Sequence, residues 1–127
     1  MEHVIVKKQP LMELKSMPAI RSENVNIANN DNTSSSCALV PNTLVGLRLP
    51  ATFNGTAVTF LAGTDARAAA TFSQLYVGGA ALSVTVAAGK QIALNPSDFA
   101  GVIAVKLVSN ANESGAREIA LVFRECE

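Results

Sequence analysis

Tryptophan is absent from this 127-residue chain, tyrosine and histidine occur once each, and charged residues make up only 16%. Each scarcity excludes something. Lys plus Arg and Asp plus Glu number ten each, so the formal charge is zero, and the basic footprint of a nucleic-acid or anionic-membrane binder is missing. Neither nucleic acid nor membrane is expected as a partner. No window approaches the roughly 18 apolar residues of a membrane-spanning helix. The opening Met1-Glu2-His3-Val4-Ile5-Val6-Lys7-Lys8 lacks the basic-then-apolar layout of a secretory signal. The expectation is a soluble protein made in the cytoplasm. Cys37 and Cys126 lie far apart with no CxxC spacing and no neighbouring histidine, which leaves zinc short of ligands. Both are expected as free thiols, Cys37 packed as a small core residue and Cys126 exposed.

The same scarcity argues against catalysis. An acid–base enzyme holds titratable groups in pairs within a cleft, whereas His3 sits near the N-terminus and Asp31, Asp65 and Asp98 fall in three separate turns. A nucleophile at Ser35 or Cys37 would have only His3 as its base. Gly78-Gly79-Ala80 lacks the following Lys and Ser or Thr of a phosphate-binding loop and reads as a hairpin turn. No loop clusters the carboxylates that calcium requires. The N-x-S/T triplets at Asn32, Asn54 and Asn112 also read as turns. No enzyme activity, cofactor or metal is expected.

What the chain does have is apolar content, 49% of residues with a mean hydropathy of +0.28, ample for one core. With no net charge to keep copies apart, assembly is expected. Composition splits the chain unevenly. Residues 1–22 hold two prolines, all three methionines, the histidine and four basic residues, and read as an extended N-terminal arm. Residues 23–127 read as one domain of short β-branched and apolar runs, separated by Gly, Pro, Asn, Ser and Asp clusters. The runs are 25–28, 35–40, 44–49, 57–61, 75–77, 82–86, 91–94, 102–108 and 118–124. A hairpin is expected at 29–32, another at Gly78-Gly79, a loop at 62–72 and a helical turn at 97–100. This spacing predicts an all-β fold, an antiparallel sandwich or barrel of about eight strands, and the expectation taken is a jelly-roll-like antiparallel β-sandwich.

Three surfaces stand out for recognition. In the arm, Val4, Ile5 and Val6 can add as a strand to another subunit's sheet edge, with Leu11, Met12, Leu14, Met17 and Ile20 filling shallow apolar pockets. In the last strand Ile119, Leu121 and Phe123 face one way and Glu118, Ala120, Val122 and Arg124 the other. That mixed second face points to Ala120 and Val122 as self-association residues. Tyr76, beside Gly78-Gly79, is the one aromatic platform for a glycan; the alternative is a tyrosine with a half-buried ring and a wet hydroxyl.

Several stretches resemble a known family. Asn24-Val25-Asn26-Ile27-Ala28-Asn29, Thr33-Ser34-Ser35, and Leu44-Val45-Gly46-Leu47-Arg48-Leu49-Pro50-Ala51 with Phe53 and Gly55 are similar to small β-sandwich structural proteins of tailed bacteriophages. So are Ser83-Val84-Thr85-Val86-Ala87-Ala88, Ala93-Leu94-Asn95-Pro96-Ser97-Asp98-Phe99-Ala100-Gly101 and Val105-Lys106-Leu107-Val108-Ser109. The resemblance spans residues 23–124. It departs between Leu61 and Thr71, where the family often carries a Ser-x-Asp-Gly turn, at Val77, where an aspartate commonly follows the tyrosine, and at Ile103-Ala104, where an aromatic is frequent. The resemblance implies a virion component: a capsid decoration or cement protein, a head-fibre base or a tail accessory domain. The expected protein is a homotrimer on the capsid surface, contacting the major capsid protein through its arm. The alternative is a tail or fibre domain that binds host-surface glycan or receptor.

Overall fold

The computed structural model describes residues 20–39, 42–65 and 71–125. Among them are eleven strands, β1 (Ile20–Ile27), β2 (Cys37–Ala38), β3 (Asn42–Arg48), β4 (Ala57–Gly63), β5 (Phe72–Gln74), β6 (Tyr76–Val77), β7 (Ala80–Ala81), β8 (Ser83–Thr85), β9 (Gln91–Ala93), β10 (Ala104–Ser109) and β11 (Arg117–Glu125), with a 3-10 turn at Pro96–Phe99. Every pairing between strands is antiparallel. One sheet runs β1-β11-β3-β9 and the other β2-β10-β4-β5. β10 lies along one edge of β4, so the opposite edge is shared: β5 pairs with Leu61 to Gly63 and β8 with Ala57 to Thr59. Between those two strands the chain leaves the sheet as the small β6-β7 hairpin.

Period-2 alternation decides which side chains meet between the sheets. β11 buries Ile119, Leu121 and Phe123 completely, as its sequence pattern predicts. Val25, Ile27, Leu44 and Leu47 join them from the same sheet, and Val58, Phe60, Val105 and Leu107 face them from the other. Connections close the core with Leu39, Leu49, Val86, Leu94 and Phe99. The 3-10 turn delivers Phe99 because Asn95 caps it: Asn95 Oδ1 accepts from Ser97 N at 3.2 Å and from Ser97 Oγ at 2.9 Å, with Pro96 opening the turn. The ring of Phe99 then meets Phe60 edge-on, centroids 5.1 Å apart. Burying such a side chain is worth about 1.5–3 kcal/mol.

The structure differs from the sequence expectations in five places, the first being the loop expected at 62–72, whose ends Ala62-Gly63 and Phe72 belong to the paired strands β4 and β5. β1 starts at Ile20 and pairs without interruption from Ile20↔Arg124 to Ile27↔Arg117, so residues 20–22 belong to the sheet and not to the arm. Residues 29–32 do turn the chain back, Ile27 bridging antiparallel to Ser34, but no second strand of that sheet follows directly. They begin a crossover from β1 to β2 in the facing sheet, where Asn30 takes a left-handed φ of 68°, a conformation asparagine tolerates. Of the described residues within 35–40, only Cys37–Ala38 is strand. Gly78 and Gly79 do form the turn, at φ 65° and 87°, but the hairpin spans only β6 and β7, and residues 83–85 rejoin β4.

Candidate functional site

Ala120 and Val122 lie on the outward face of β11, in the middle of the four-stranded sheet. Ala120 stands between Asn24 of β1 and Arg48 of β3; Val122 stands between Ser22 and Gly46. Ala93 of β9 extends the second row beyond Gly46. The face stays smooth because Gly46 has no side chain: a Cβ there would lie 3.2 Å from the Ile92 carbonyl oxygen and 3.7 Å from Val122 Cβ. Val122 therefore leans over glycine backbone and remains half-buried. Beside Ala120 an open depression of about 270 Å³ is lined by Asn24, Arg48, Leu49, Pro50, Glu118 and Ala120. Shallow and carrying one charge of each sign, it suits contact with a protein surface better than enclosure of a small molecule.

Tyr76 sits on the β6-β7 hairpin and is 61% exposed. The sequence alternative of a half-buried ring does not describe it, since the whole of 76–81 is exposed. Its neighbours within the hairpin are Val77, Gly78, Gly79, Ala80 and Ala81. These side chains bring no hydrogen-bonding group.

The residue that sequence reasoning missed is Glu113, 1% exposed in the loop between β10 and β11. Its Oε1 accepts from Asn54 N at 2.8 Å and Arg117 Nε at 2.9 Å, and its Oε2 from Gly55 N at 3.1 Å and Ser109 Oγ at 3.2 Å. Its main chain is held as well: Asn30 N donates to Glu113 O at 2.8 Å, and Glu113 N donates to Asp31 O at 2.9 Å. Asn54 Oδ1 in turn accepts from Ser114 N, Ser114 Oγ and Arg117 Nη2. One residue thus ties together three connections, its carboxylate holding those before β4 and before β11 and its main chain the one after β1. Burial by itself pushes its pKa up, but the Asn54 amide, Arg117, the Gly55 amide and Ser109 outweigh burial and hold it below the ordinary 4.5. With four donors on two oxygens it has no capacity left for a ligand. It is a structural pin.

Cys37 is buried, as expected, and free. Burial first, then the adjacent Glu23 carboxylate, to which Sγ donates at 3.5 Å, pushes the thiol up to about 12. It stays protonated at neutral pH, the wrong state for a nucleophile. Among the described residues no three His, Cys, Asp or Glu side chains form a group able to hold a metal ion, and no helix is long and apolar enough to cross a membrane. Val4, Ile5, Val6, Leu11, Met12, Leu14, Met17 and Cys126 lie outside the described residues. No family model matches the chain, and no curated protein matches its sequence.

Proposed function

We propose that the chain is a structural protein of a tailed-bacteriophage particle, a capsid decoration protein that binds the outside of the shell and associates with its own copies. The observation that carries this reading is the strand order. Counted as positions, with β5 and β8 as one interrupted strand and β6-β7 as an excursion, the sheets hold four strands each, and early and late strands interleave in both. That order supports a jelly roll, the arrangement of many capsid and lectin domains. A fold alone does not select among functions; the resemblance of residues 23–124 to phage sandwich proteins selects the virion. The smooth face around Ala120 and Val122 supplies a surface for another protein.

On this reading the domain acts by bridging shell subunits. Each copy adds a modest local contact, and repetition over the shell multiplies it through avidity. Residues 1–19 supply the reach toward the major capsid protein, since Ile20 onward is committed to β1. Gold-tagged antibody against the domain, viewed on intact and gently disrupted virions, should label the shell. A chain lacking residues 2–19 should keep its fold and lose shell binding. Label confined to the tail would overturn the decoration reading in favour of the adhesion domain, for which the projecting Tyr76 speaks. In that case Tyr76→Ala should abolish binding to host-surface sugars.

A further inference from the structure

Sheet edges carry unpaired N–H and C=O groups, and folded proteins blunt them by shortness, charge or proline. Three edge positions here are short: β2 has two residues, β9 three, and β5 and β8 three each. β1 is different. It is an eight-residue edge strand without proline, and its outer side is closed at one end only. There Ser35 N donates to Asn26 O at 2.9 Å, and Asn26 N donates to Ser35 Oγ at 3.1 Å. These bonds fix the direction of the edge. If the Asn26 backbone groups point away from β11, then by the two-residue period those of Asn24, Ser22 and Ile20 do as well. Among the described residues nothing bonds to them.

The side chains say what fits that edge. Arg21 and Glu23 share the face that carries Phe123 and are about half exposed, with Arg21 Nη2 2.5 Å from Glu23 Oε2. An antiparallel copy of the same strand centred on Ser22 sets Arg21 directly opposite Glu23 of the second copy, and Glu23 opposite its Arg21. Both are non-hydrogen-bonded positions, where side chains come closest. Centring on Arg21 or on Glu23 would oppose like charges, and centring on Asn24 would collide with the Ser35 closure at Asn26. Only the Ser22 register satisfies both the backbone and the charges.

We propose that two copies of this chain associate through β1, strand to antiparallel strand, about a two-fold axis at Ser22, joining two four-stranded sheets into one of eight. The interface is isologous, the same residues serving on both sides. It stands apart from the virion reading and from the outward face of β11. It is two-fold where the resemblance implied a trimer.

Sedimentation of the full chain over a concentration series tests this. The unmodified chain should dimerise. Arg21→Glu and Glu23→Arg, each alone, should weaken the dimer about tenfold or more, because both cross-strand pairs turn from attractive to repulsive. Mixed in equal amounts, the two variants should recover association, since each then faces the opposite charge. Ser22→Pro should also weaken it, as its lost N–H points away from the β11 ladder. Thermal melts near the unmodified value establish that the variants fold. A monomer at every concentration, a dimer indifferent to Ser22→Pro, or charge variants that fail to recover on mixing would each overturn the proposal. Association that appears only after removal of residues 2–19 would overturn it too, by assigning the edge to the chain's own N-terminal segment.

Discussion

Two connections leave the sheets on opposite terms. The loop between β10 and β11 is mostly polar, built from Asn, Ser, Gly and Glu with two alanines, and is fastened at its centre by the Glu113 carboxylate and by backbone bonds to Asn30 and Asp31. The β6-β7 hairpin carries only Tyr, Val, Gly and Ala, yet it is exposed throughout, and a Cβ added to Gly78 or Gly79 would touch nothing within 4 Å. Polarity is thus a poor guide to which connection is fixed. A buried carboxylate is costly unless every lone pair is met, and meeting them joins the connection before β4 to the loop between β10 and β11. The hairpin has no such demand and is held only by its own ladder and by the return of β5 and β8 to β4.

The difference can be broken most severely at Glu113. Glu113→Ala leaves the partly buried Arg117 unpaired and the Asn54 and Gly55 amides unsatisfied, and should cost about 3–5 kcal/mol in urea unfolding. Acid should find the same pin. Because the folded state holds Glu113 below its ordinary 4.5, the unfolded chain binds the proton first. Its contribution is complete above that value and is lost as pH falls through the lowered folded value. A pH series of midpoints should show this loss, and Glu113→Gln should flatten it. Gly55→Ala is a smaller break: the new Cβ would fall 2.1 Å from Ser109 Oγ, at a cost of about 1–3 kcal/mol. Adding Ser109→Ala should return part of that loss, which isolates the clash from the lost hydrogen bond. At the far end of the scale, Tyr76→Ala on the hairpin should move stability by no more than about 0.5 kcal/mol.

How far the sequence reaches depends on whether a feature is local. Ile119, Leu121 and Phe123 were legible because alternation is written in consecutive residues, and the same pattern put Ala120 and Val122 on the outward face. The turn at 97–100 was legible because Asn95-Pro96-Ser97 carries its own cap. The interleaved strand order was not, since β11 finds β1 and β3 from the other end of the chain. Glu113 was invisible for the same reason: its amide donors stand 58 and 59 residues away, and an acid among Asn, Ser and Gly looks solvated. The one local hint was Arg117, four residues on, a spacing that counts on a helix and was passed over in a loop. The reversal at 29–32 shows the converse, closing on the single Ile27↔Ser34 bridge before the chain crosses over. Turn-forming residues announce a reversal without saying which sheet receives the next strand.

The divided edge of β4 makes the tip of the β6-β7 hairpin separable from the rest of the molecule. Because β5 pairs with β4 before the excursion and β8 pairs with it after, the sheet is closed on both flanks of Gly78-Gly79. A foreign peptide spliced between those glycines would hang from a closed anchor, its ends set by the ladder and not by its own conformation. The fold thereby carries a display position, a place where sequence can be exchanged wholesale while the core beneath keeps its register.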